Sequence, residues 1–244
     1  MNDKIELSID IRIPFIMSIV GQTHSGKSVL TRKLLKGELK NKFDYIFIMS
    51  PTIDLSKDWD ADFKESPRGD DRISPCITHI SDSNEFTPRL KEIFDKQEGI
   101  IKTYKKHEVP EVLIILDDVA SEKVFHHNGF LDKKSISSRH YHISLLLISQ
   151  KISSIGRCLR LQTSYFIVFS SFNYTESERF ISEYVPKKYQ AVLMRELENI
   201  FNEPWNFVVC NNNEVKIFDR LWLNGKEKID LKQLLLESRS TKNN

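Results

Sequence analysis

The sequence is poor in cysteine, in net charge and in long apolar runs. Its three cysteines, Cys76, Cys158 and Cys210, are odd in number and far apart. They fit neither a disulfide framework nor a zinc site, and they indicate a reducing compartment. No apolar run approaches the ~20 residues that span a bilayer. Residues 1–4 lack the charged-then-apolar order of a signal peptide, so we expect neither a signal peptide nor a transmembrane segment.

The charge balance of the chain excludes few classes of function. A net charge of +2 permits nucleic-acid binding without arguing for it, because a DNA-binding domain is usually more basic. The composition, with 40% hydrophobic and 29% charged residues, is that of an ordinary globular protein. The chain of 244 residues has the length of one large α/β domain or of one domain with an appendage.

Residues 21–28 match the phosphate-binding pattern G-x-x-x-x-G-K-[ST] at every specified position. Gly21 and Gly26 have no Cβ, so the backbone can adopt positive φ and bring its amides against a polyphosphate. Lys27 then reaches the β- and γ-phosphates, and the Ser28 hydroxyl completes the shell of a Mg²⁺ ion. The predicted nucleotide-binding residues are Gly21, Gln22, Thr23, His24, Ser25, Gly26, Lys27 and Ser28.

The flanking segments give this loop a context that a chance match would lack. Residues 14–20 form a nearly continuous apolar run, typical of a strand that is buried on both faces of a parallel sheet. After the loop, Leu30 and Leu34 lie one helical turn apart, with basic residues on the other face. The order of strand, glycine-rich turn and helix predicts that the chain binds and hydrolyses a nucleoside triphosphate.

Two carboxylates follow a later apolar strand. Residues 112–116 are aliphatic and run directly into Asp117 and Asp118. Because the carboxyl ends of parallel strands share one edge of the sheet, we expect both acids beside the phosphate loop. Asp117 is placed to hold the Mg²⁺ ion, and Asp118 to orient or deprotonate the attacking water. The alternative is that these acids cap a following helix.

A glutamine and an arginine complete the candidate catalytic set. Gln150 ends the apolar strand at 144–149, where its amide can contact the γ-phosphate or the attacking water; the alternative is an ordinary loop residue. Arg139 precedes the same strand, so it should lie at the opposite sheet edge and could serve the site of a neighbouring subunit. Arg157 and Arg160 are the reserves for this role. Each arginine, taken singly, is more often a surface or structural residue.

Strands and helices alternate along the chain. Predicted strands lie at 14–20, 45–49, 77–80, 112–116, 144–149 and 165–169, and predicted helices at 29–36, 130–138, 153–161, 175–184 and 187–201. The alternation predicts an α/β fold, a P-loop NTPase with a mostly parallel central sheet flanked by helices on both faces. Residues 52–76 are polar and turn-rich and predict a long excursion.

A further helix is predicted to begin with Thr87 as its cap and Pro88 as its first residue and to end before Pro110. Its apolar stripe consists of Leu90, Ile93, Phe94, Ile101 and Tyr104.

The histidines do not indicate a metal site. His126 and His127 are adjacent and His140 lies near His142, but no cysteine or carboxylate stands at ligand spacing around either pair. The lysines at 133–134 and within 36–42 could touch a nucleic-acid backbone, although such lysines more often form a solvated face.

The combination of these motifs resembles the genome-packaging ATPases of large DNA viruses and virophages. That family includes the poxvirus packaging ATPase and belongs to the FtsK–HerA superfamily of DNA pumps. The resemblance rests on the loop at 21–28, on Leu-Asp-Asp-Val at 116–119, on Ser-Arg-His at 138–140 and on the strand that ends in Gln150. It covers roughly residues 12–172.

The resemblance implies an ATP-driven motor that uses ATP and Mg²⁺. It implies assembly as a homo-oligomeric ring around double-stranded DNA, which the motor threads into a preformed capsid with a capsid or portal-vertex protein as partner. The resemblance implies that the protein acts in the host cytoplasm, at the viral factory, and that it associates with the virion. We expect one ATPase domain over residues 1–237, with its core at 12–172 and an extension at 173–237, and a disordered polar tail at 238–244.

The resemblance also implies a role for each matching residue. Lys27 and Ser28 would bind ATP and Mg²⁺, and Asp117 would support the metal. Gln150 matches the sensor glutamine, and Arg139 matches the arginine that acts across subunits. Asp118 stands where many relatives carry glutamate, and as a shorter acid it would still reach the attacking water.

Two other functions are compatible with a phosphate loop. A nucleotide or nucleoside kinase would need a basic lid and an acceptor pocket, and an arginine-rich lid is not evident in the sequence. A non-catalytic, ATP-binding scaffold would have no need of Asp117, Asp118 and Gln150. The acceptor of the phosphoryl group discriminates between them, since a kinase transfers it to a nucleotide and a motor to water.

Overall fold

A computed structural model of the chain describes residues 11–54, 59, 63, 75–119, 129–169, 174–201, 205–211, 214–218 and 229–230. None of the helices in these ranges has the length and apolar composition that crossing a bilayer requires. The predicted polar tail, the pair His126 and His127, and most of the predicted excursion at 52–76 lie outside the described residues.

The described strands form one nine-stranded sheet. The strands are β1 (Ile16–Val20), β2 (Tyr45–Met49), β3 (Cys76–Ile80), β4 (Val112–Asp117), β5 (Ile143–Ser149), β6 (Tyr165–Phe169), β7 (Phe207–Asn211), β8 (Glu214–Phe218) and β9 (Ile229–Asp230). Their order is β3-β2-β4-β5-β1-β6-β7-β8-β9. The strands β1 to β6 pair in parallel, and β7 to β9 extend the sheet with antiparallel pairs. The predicted mostly parallel sheet is confirmed.

Helices cover both faces of the sheet. They are α1 (Lys27–Lys36), α2 (Ser83–Thr103), α3 (Phe130–Lys134), α4 (Arg157–Gln162), α5 (Tyr174–Tyr184) and α6 (Lys187–Phe201). One apolar core joins α1 to one face of the sheet, and a second core joins α2, α5 and α6 to the other face. Strands β1, β4, β5 and β6 contribute side chains to both cores, which explains their continuous apolar sequences.

The start of α2 differs from the prediction. The helix begins at Ser83, because the Asp82 side chain accepts a hydrogen bond from the Asn84 amide at 2.9 Å and so caps it. Pro88 therefore lies inside the helix and not at its first position. Leu90, Ile93 and Phe94 of the predicted apolar stripe are buried. Tyr104 lies beyond the last turn and is 56% exposed.

Two predicted helices are shorter in the structure. The segment at 130–138 forms α3 and then a 3₁₀ turn, Ser138–Tyr141. The segment at 153–161 divides into a 3₁₀ turn, Ile152–Ser154, and α4, because Ile155 between them has an extended backbone. The helices predicted at 175–184 and 187–201 are confirmed as α5 and α6.

Candidate nucleotide-binding and catalytic site

Three neighbouring strands end at the same edge of the sheet. The order β4-β5-β1 brings Asp117, Gln150 and the loop at 21–28 together at the carboxyl ends of their strands. Two backbone hydrogen bonds fix the adjacent chains just beyond the ladder: Gly21 N donates to Ser149 O at 3.1 Å, and Asp118 N donates to Ile148 O at 3.2 Å. The sequence prediction that these residues share one edge is confirmed.

The loop has the backbone that its glycines permit. Gly26 has φ 105° and forms the entrance to α1, and His24 also has a positive φ of 64°. A Cβ on Gly21 would lie 2.6 Å from Ser25 Oγ and 2.7 Å from Phe169 Cβ, so only glycine fits there. The loop is thus a tightly closed turn at a helix N-terminus, the setting in which backbone amides bind phosphate.

The Lys27 ammonium closes the loop on itself. Its Nζ donates to Gly21 O at 2.7 Å and to Gln22 O at 2.8 Å. Burial lowers the pKa of Lys27, and the charges of Asp118 and Asp117 act in the opposite direction. The lysine and both carboxylates therefore belong to one electrostatic site.

The two carboxylates have different partners. Asp117 Oδ2 accepts a hydrogen bond from the indole Nε1 of Trp59 at 3.0 Å. Asp118 follows the end of β4 with φ 53°, and its Oδ2 accepts from Gln150 Nε2 at 3.2 Å. The predicted acid and the predicted sensor amide are therefore in direct contact, which neither residue's place in the sequence could establish.

The donors at this edge suit ATP and Mg²⁺. Ser25 Oγ is buried and makes no hydrogen bond within the described structure, so the loop holds a polar atom with capacity for a ligand. Ser28 and Asp117 would supply oxygen ligands, the type that Mg²⁺ prefers. The described residues contain no group of three histidine, cysteine or acidic side chains that could hold a metal alone.

Arg139 lies away from these residues. It belongs to the 3₁₀ turn that precedes β5, and its Nη2 donates to Gln162 O at 3.1 Å and to Ser164 Oγ at 2.9 Å. Both partners precede β6, so the exposed guanidinium lies at the amino-end edge of the parallel strands. The predicted separation of Arg139 from its own phosphate loop is confirmed.

The two reserve arginines differ from each other. Arg160 is buried and forms a two-point ion pair with Glu183 of α5, with Nε–Oε2 at 2.8 Å and Nη2–Oε1 at 2.9 Å. Its Nη1 also donates to Ile155 O at 2.5 Å. These contacts occupy the guanidinium within the fold, whereas Arg157 is exposed at the start of α4.

Three further polar residues singled out in the sequence have structural partners. His142 Nδ1 lies 2.6 Å from Glu111 Oε1, and the Lys134 ammonium lies over the ring of Tyr141 at 5.0 Å. Lys42 Nζ donates to Ile11 O at 2.9 Å. Cys76, Cys158 and Cys210 are free thiols, as predicted.

Sequence reasoning missed Trp59. This residue lies in the segment that the sequence marks as a polar excursion, yet its side chain is 1% exposed and packs edge-on against Phe63. The available signal was the spacing of Trp59 and Phe63, two large apolar residues four positions apart in polar surroundings.

The family sequence model of the Poxvirus A32 protein matches residues 8–202. The chain belongs to this family. Membership confirms the predicted resemblance to viral genome-packaging ATPases, and the protein is a P-loop ATPase of that type. No curated protein sequence matches the chain.

Solved structures share the fold of this A32-family protein. B204, the DNA-packaging ATPase from Sulfolobus Turreted Icosahedral Virus, is 16% identical with a TM-score of 0.63, over 86% of this chain and 100% of B204. B204 from Sulfolobus turreted icosahedral virus 2 in complex with ATP-gammaS is 18% identical with a TM-score of 0.60, over the same shares of the two chains. The pCW3 conjugation coupling protein TcpA is 13% identical with a TM-score of 0.61, over 95% of this chain and 66% of TcpA.

Proposed function

We propose that this chain is a motor that hydrolyses ATP to translocate double-stranded DNA into a viral capsid, and that it works as a homo-oligomeric ring. The observation that carries the proposal is the meeting of the loop at 21–28, Asp117, Asp118 and Gln150 at three adjacent strand ends. Two of the similar structures belong to packaging enzymes named for DNA and for a bound ATP analogue, which supports the choice of both substrates.

The loop binds the triphosphate. Its amides surround the phosphates, and Lys27 exchanges the carbonyls of Gly21 and Gln22 for the β- and γ-phosphate oxygens. Ser28 and Asp117 would hold a Mg²⁺ ion, which would supply positive charge to neutralise the phosphates. Because the ammonium is already buried at the loop, little side-chain movement is needed to bring it to the phosphates.

Asp118 and Gln150 act on the attacking water. Asp118 accepts a proton as the water oxygen attacks the γ-phosphorus, and the bond from that phosphorus to the β–γ bridging oxygen breaks, leaving ADP. Gln150 holds the Asp118 carboxylate through its amide and orients the same water. Asp118 is shorter than glutamate, and its positive φ sets the direction of the carboxylate.

Arg139 completes the site of a neighbouring subunit. Its guanidinium lies at the sheet edge opposite its own loop and is exposed, so it can face a second copy of the chain. There it neutralises charge on the transferring phosphoryl group. We place the ATPase domain at residues 1–237, with a capsid or portal-vertex protein as the docking partner in the host cytoplasm.

The test is steady-state ATP hydrolysis with and without long double-stranded DNA. We expect DNA to stimulate hydrolysis, Lys27→Ala and Gln150→Ala to abolish or strongly reduce it, and Mg²⁺ removal by EDTA to stop it. The matched control is Lys91→Ala, which removes an exposed lysine of α2 and should leave the rate unchanged. Phosphate that appears on an added nucleotide would establish a kinase, and hydrolysis indifferent to DNA would rule out the motor.

A further inference from the structure

The Trp59 side chain joins the segment between β2 and β3 to the candidate metal site. Trp59 is separated from Asp117 by 58 residues along the chain, and its indole Nε1 lies 3.0 Å from Asp117 Oδ2. The ring is 1% exposed and belongs to the apolar core that also contains residues of α1, the helix that follows the phosphate loop. Packing in this core therefore holds the indole, and with it the N–H donor, in place.

Burial alone does not explain this contact. A buried indole N–H needs an acceptor, and a backbone carbonyl would satisfy it as well as a carboxylate does. Here the acceptor is instead the acid that ends β4, with Asp117 Oδ2 3.0 Å from the indole Nε1. Because Trp59 binds one oxygen, it restricts rotation of the Asp117 carboxylate about its terminal torsion.

We propose that Trp59 is a positioning residue that sets the Asp117 carboxylate for Mg²⁺ binding. The inference rests on the role that the proposed function gives Asp117. Side chains that orient a metal ligand in this way are worth about 10–100-fold in metal affinity or activity. Trp59 does not touch the nucleotide in this scheme, so it acts on the metal through Asp117 alone.

The experiment measures how Mg²⁺ affects nucleotide binding, with no need for turnover. Binding of a fluorescent, non-hydrolysable ATP analogue is titrated in EDTA and at increasing Mg²⁺ for the wild type, Trp59→Phe, Asp117→Asn and the double variant. Trp59→Phe keeps an aromatic ring in the core and removes the N–H donor. We expect it to raise the half-saturating Mg²⁺ concentration about ten-fold, with binding in EDTA unchanged.

The double variant separates positioning from general structural damage. If Trp59 acts through Asp117, adding Trp59→Phe to Asp117→Asn produces no further rise, because the carboxylate that Trp59 orients is gone. Trp205→Phe is the control, since Trp205 is 41% exposed and lies next to β7. It should leave the Mg²⁺ dependence unchanged.

A second measurement keeps the native Trp59 in place. The chain has three tryptophans, so the double variant Trp205→Phe/Trp222→Phe leaves Trp59 as the sole indole fluorophore. We expect Trp59 emission to change when a non-fluorescent, non-hydrolysable ATP analogue binds with Mg²⁺ and to stay constant when this analogue binds in EDTA. An emission that is indifferent to Mg²⁺ overturns the inference, even if Trp59→Phe does not fold.

The outcomes separate this inference from the proposed function. If Asp117→Asn raises the half-saturating Mg²⁺ concentration and Trp59→Phe does not, the role of Trp59 is overturned and Asp117 remains the metal-supporting acid. If Asp117→Asn leaves the half-saturating Mg²⁺ concentration unchanged, neither the role of Trp59 nor the metal-supporting role of Asp117 stands. DNA stimulation of hydrolysis does not enter either readout, so a failure of the translocation proposal would leave the result for Trp59 unchanged.

Discussion

At the scale of single residues, Gly21 is the position with the least room. An added Cβ would lie 2.6 Å from Ser25 Oγ and 2.7 Å from Phe169 Cβ, so the loop or β6 must move. We predict that Gly21→Ala lowers the free energy of unfolding by about 1–3 kcal/mol and weakens ATP binding at least ten-fold. Urea unfolding and nucleotide titration measure the two effects.

Gly99 supplies the matched control for this substitution. It is exposed within α2, and an added Cβ would meet nothing within 4 Å. Gly99→Ala should stabilise the protein by about 0.5–1 kcal/mol, because alanine loses less backbone entropy in a helix, and should leave ATP binding unchanged. Equal effects at Gly21 and Gly99 would contradict the steric argument.

The buried thiol of Cys210 makes the free energy of unfolding depend on pH in the alkaline range. Burial in β7 raises the pKa of its thiol, so the folded chain keeps a proton that the unfolded chain loses above about pH 8.5. Stability from this group is fully present below that pH and falls as the pH rises. We predict that, between about pH 9 and 10, the free energy of unfolding of the wild type falls by about 1 kcal/mol more than that of Cys210→Ala.

Urea unfolding from pH 7 to pH 10 measures this difference. Cys158→Ala is the control, because the Cys158 side chain is only half-buried in α4, and this variant should follow the wild-type curve. The range stops at pH 10, since burial also raises the pKa of Tyr184 and tyrosine contributes in the same direction at higher pH. Parallel curves for the wild type and Cys210→Ala would contradict the prediction.

At the scale of elements, the ion pair of Arg160 and Glu183 ties α4 to α5. Arg160 is mostly buried and Glu183 is about one-quarter exposed, so the pair is partly screened by water. We predict that Arg160→Met lowers the free energy of unfolding by about 2 kcal/mol, below the ~3–5 kcal/mol of a fully buried pair. Thermal and urea unfolding measure the loss.

An exposed arginine of α2 gives the comparison. Arg89 pairs with Glu85 and Glu92, and all three side chains are largely exposed. Arg89→Met should lower the free energy of unfolding far less than Arg160→Met does, because water screens exposed ion pairs. If Arg160→Met instead keeps full stability and loses DNA-stimulated hydrolysis, Arg160 acts across subunits and its role in the fold is secondary.

The helix ends show which local signals decide an element. The pair Thr87 and Pro88 fits the rules for a helix start, but the actual cap is Asp82, five residues earlier, which accepts a hydrogen bond from the Asn84 amide. Both signals were present in the sequence, and the choice between them depends on Phe86, whose fully buried ring adds to the core when the helix starts at Ser83. Packing therefore overrides the weaker of two local preferences.

At the scale of the whole molecule, Arg139 and the nucleotide site lie at opposite sheet edges. This arrangement predicts that two inactive variants restore each other. Lys27→Ala lacks a working loop but has Arg139, and Arg139→Ala has a working loop but lacks the arginine. We predict that each is nearly inactive alone and that an equimolar mixture hydrolyses ATP, because mixed rings contain complete sites.

The control mixture replaces Arg139→Ala by Gln150→Ala. Gln150 contacts Asp118 of its own chain, so Lys27→Ala supplies no complete site to it unless Gln150 also acts across subunits. Recovery only with Arg139→Ala supports the ring. A mixture that stays inactive would contradict the role of Arg139 and direct the search to the exposed Arg157.

Local sequence patterns alone predict the parallel strands, the phosphate loop and the set Asp117, Asp118 and Gln150. These follow from local rules: strands buried on both faces are continuously apolar, and a phosphate loop needs glycine at fixed positions. Parallel pairing then brings the strand ends to one edge, so the shared location of these residues was predictable too.

The partners of these residues depend on how the folded chain packs. Trp59 reaches Asp117 across 58 residues, Gln150 reaches Asp118 across 32, and Arg160 is occupied by Glu183 of another helix. Such contacts depend on how distant elements pack, and no periodicity or spacing encodes them. The antiparallel extension of the sheet also depends on packing between distant elements. Strand β7 pairs with the edge of β6, β8 pairs with β7, and β9 pairs with β8.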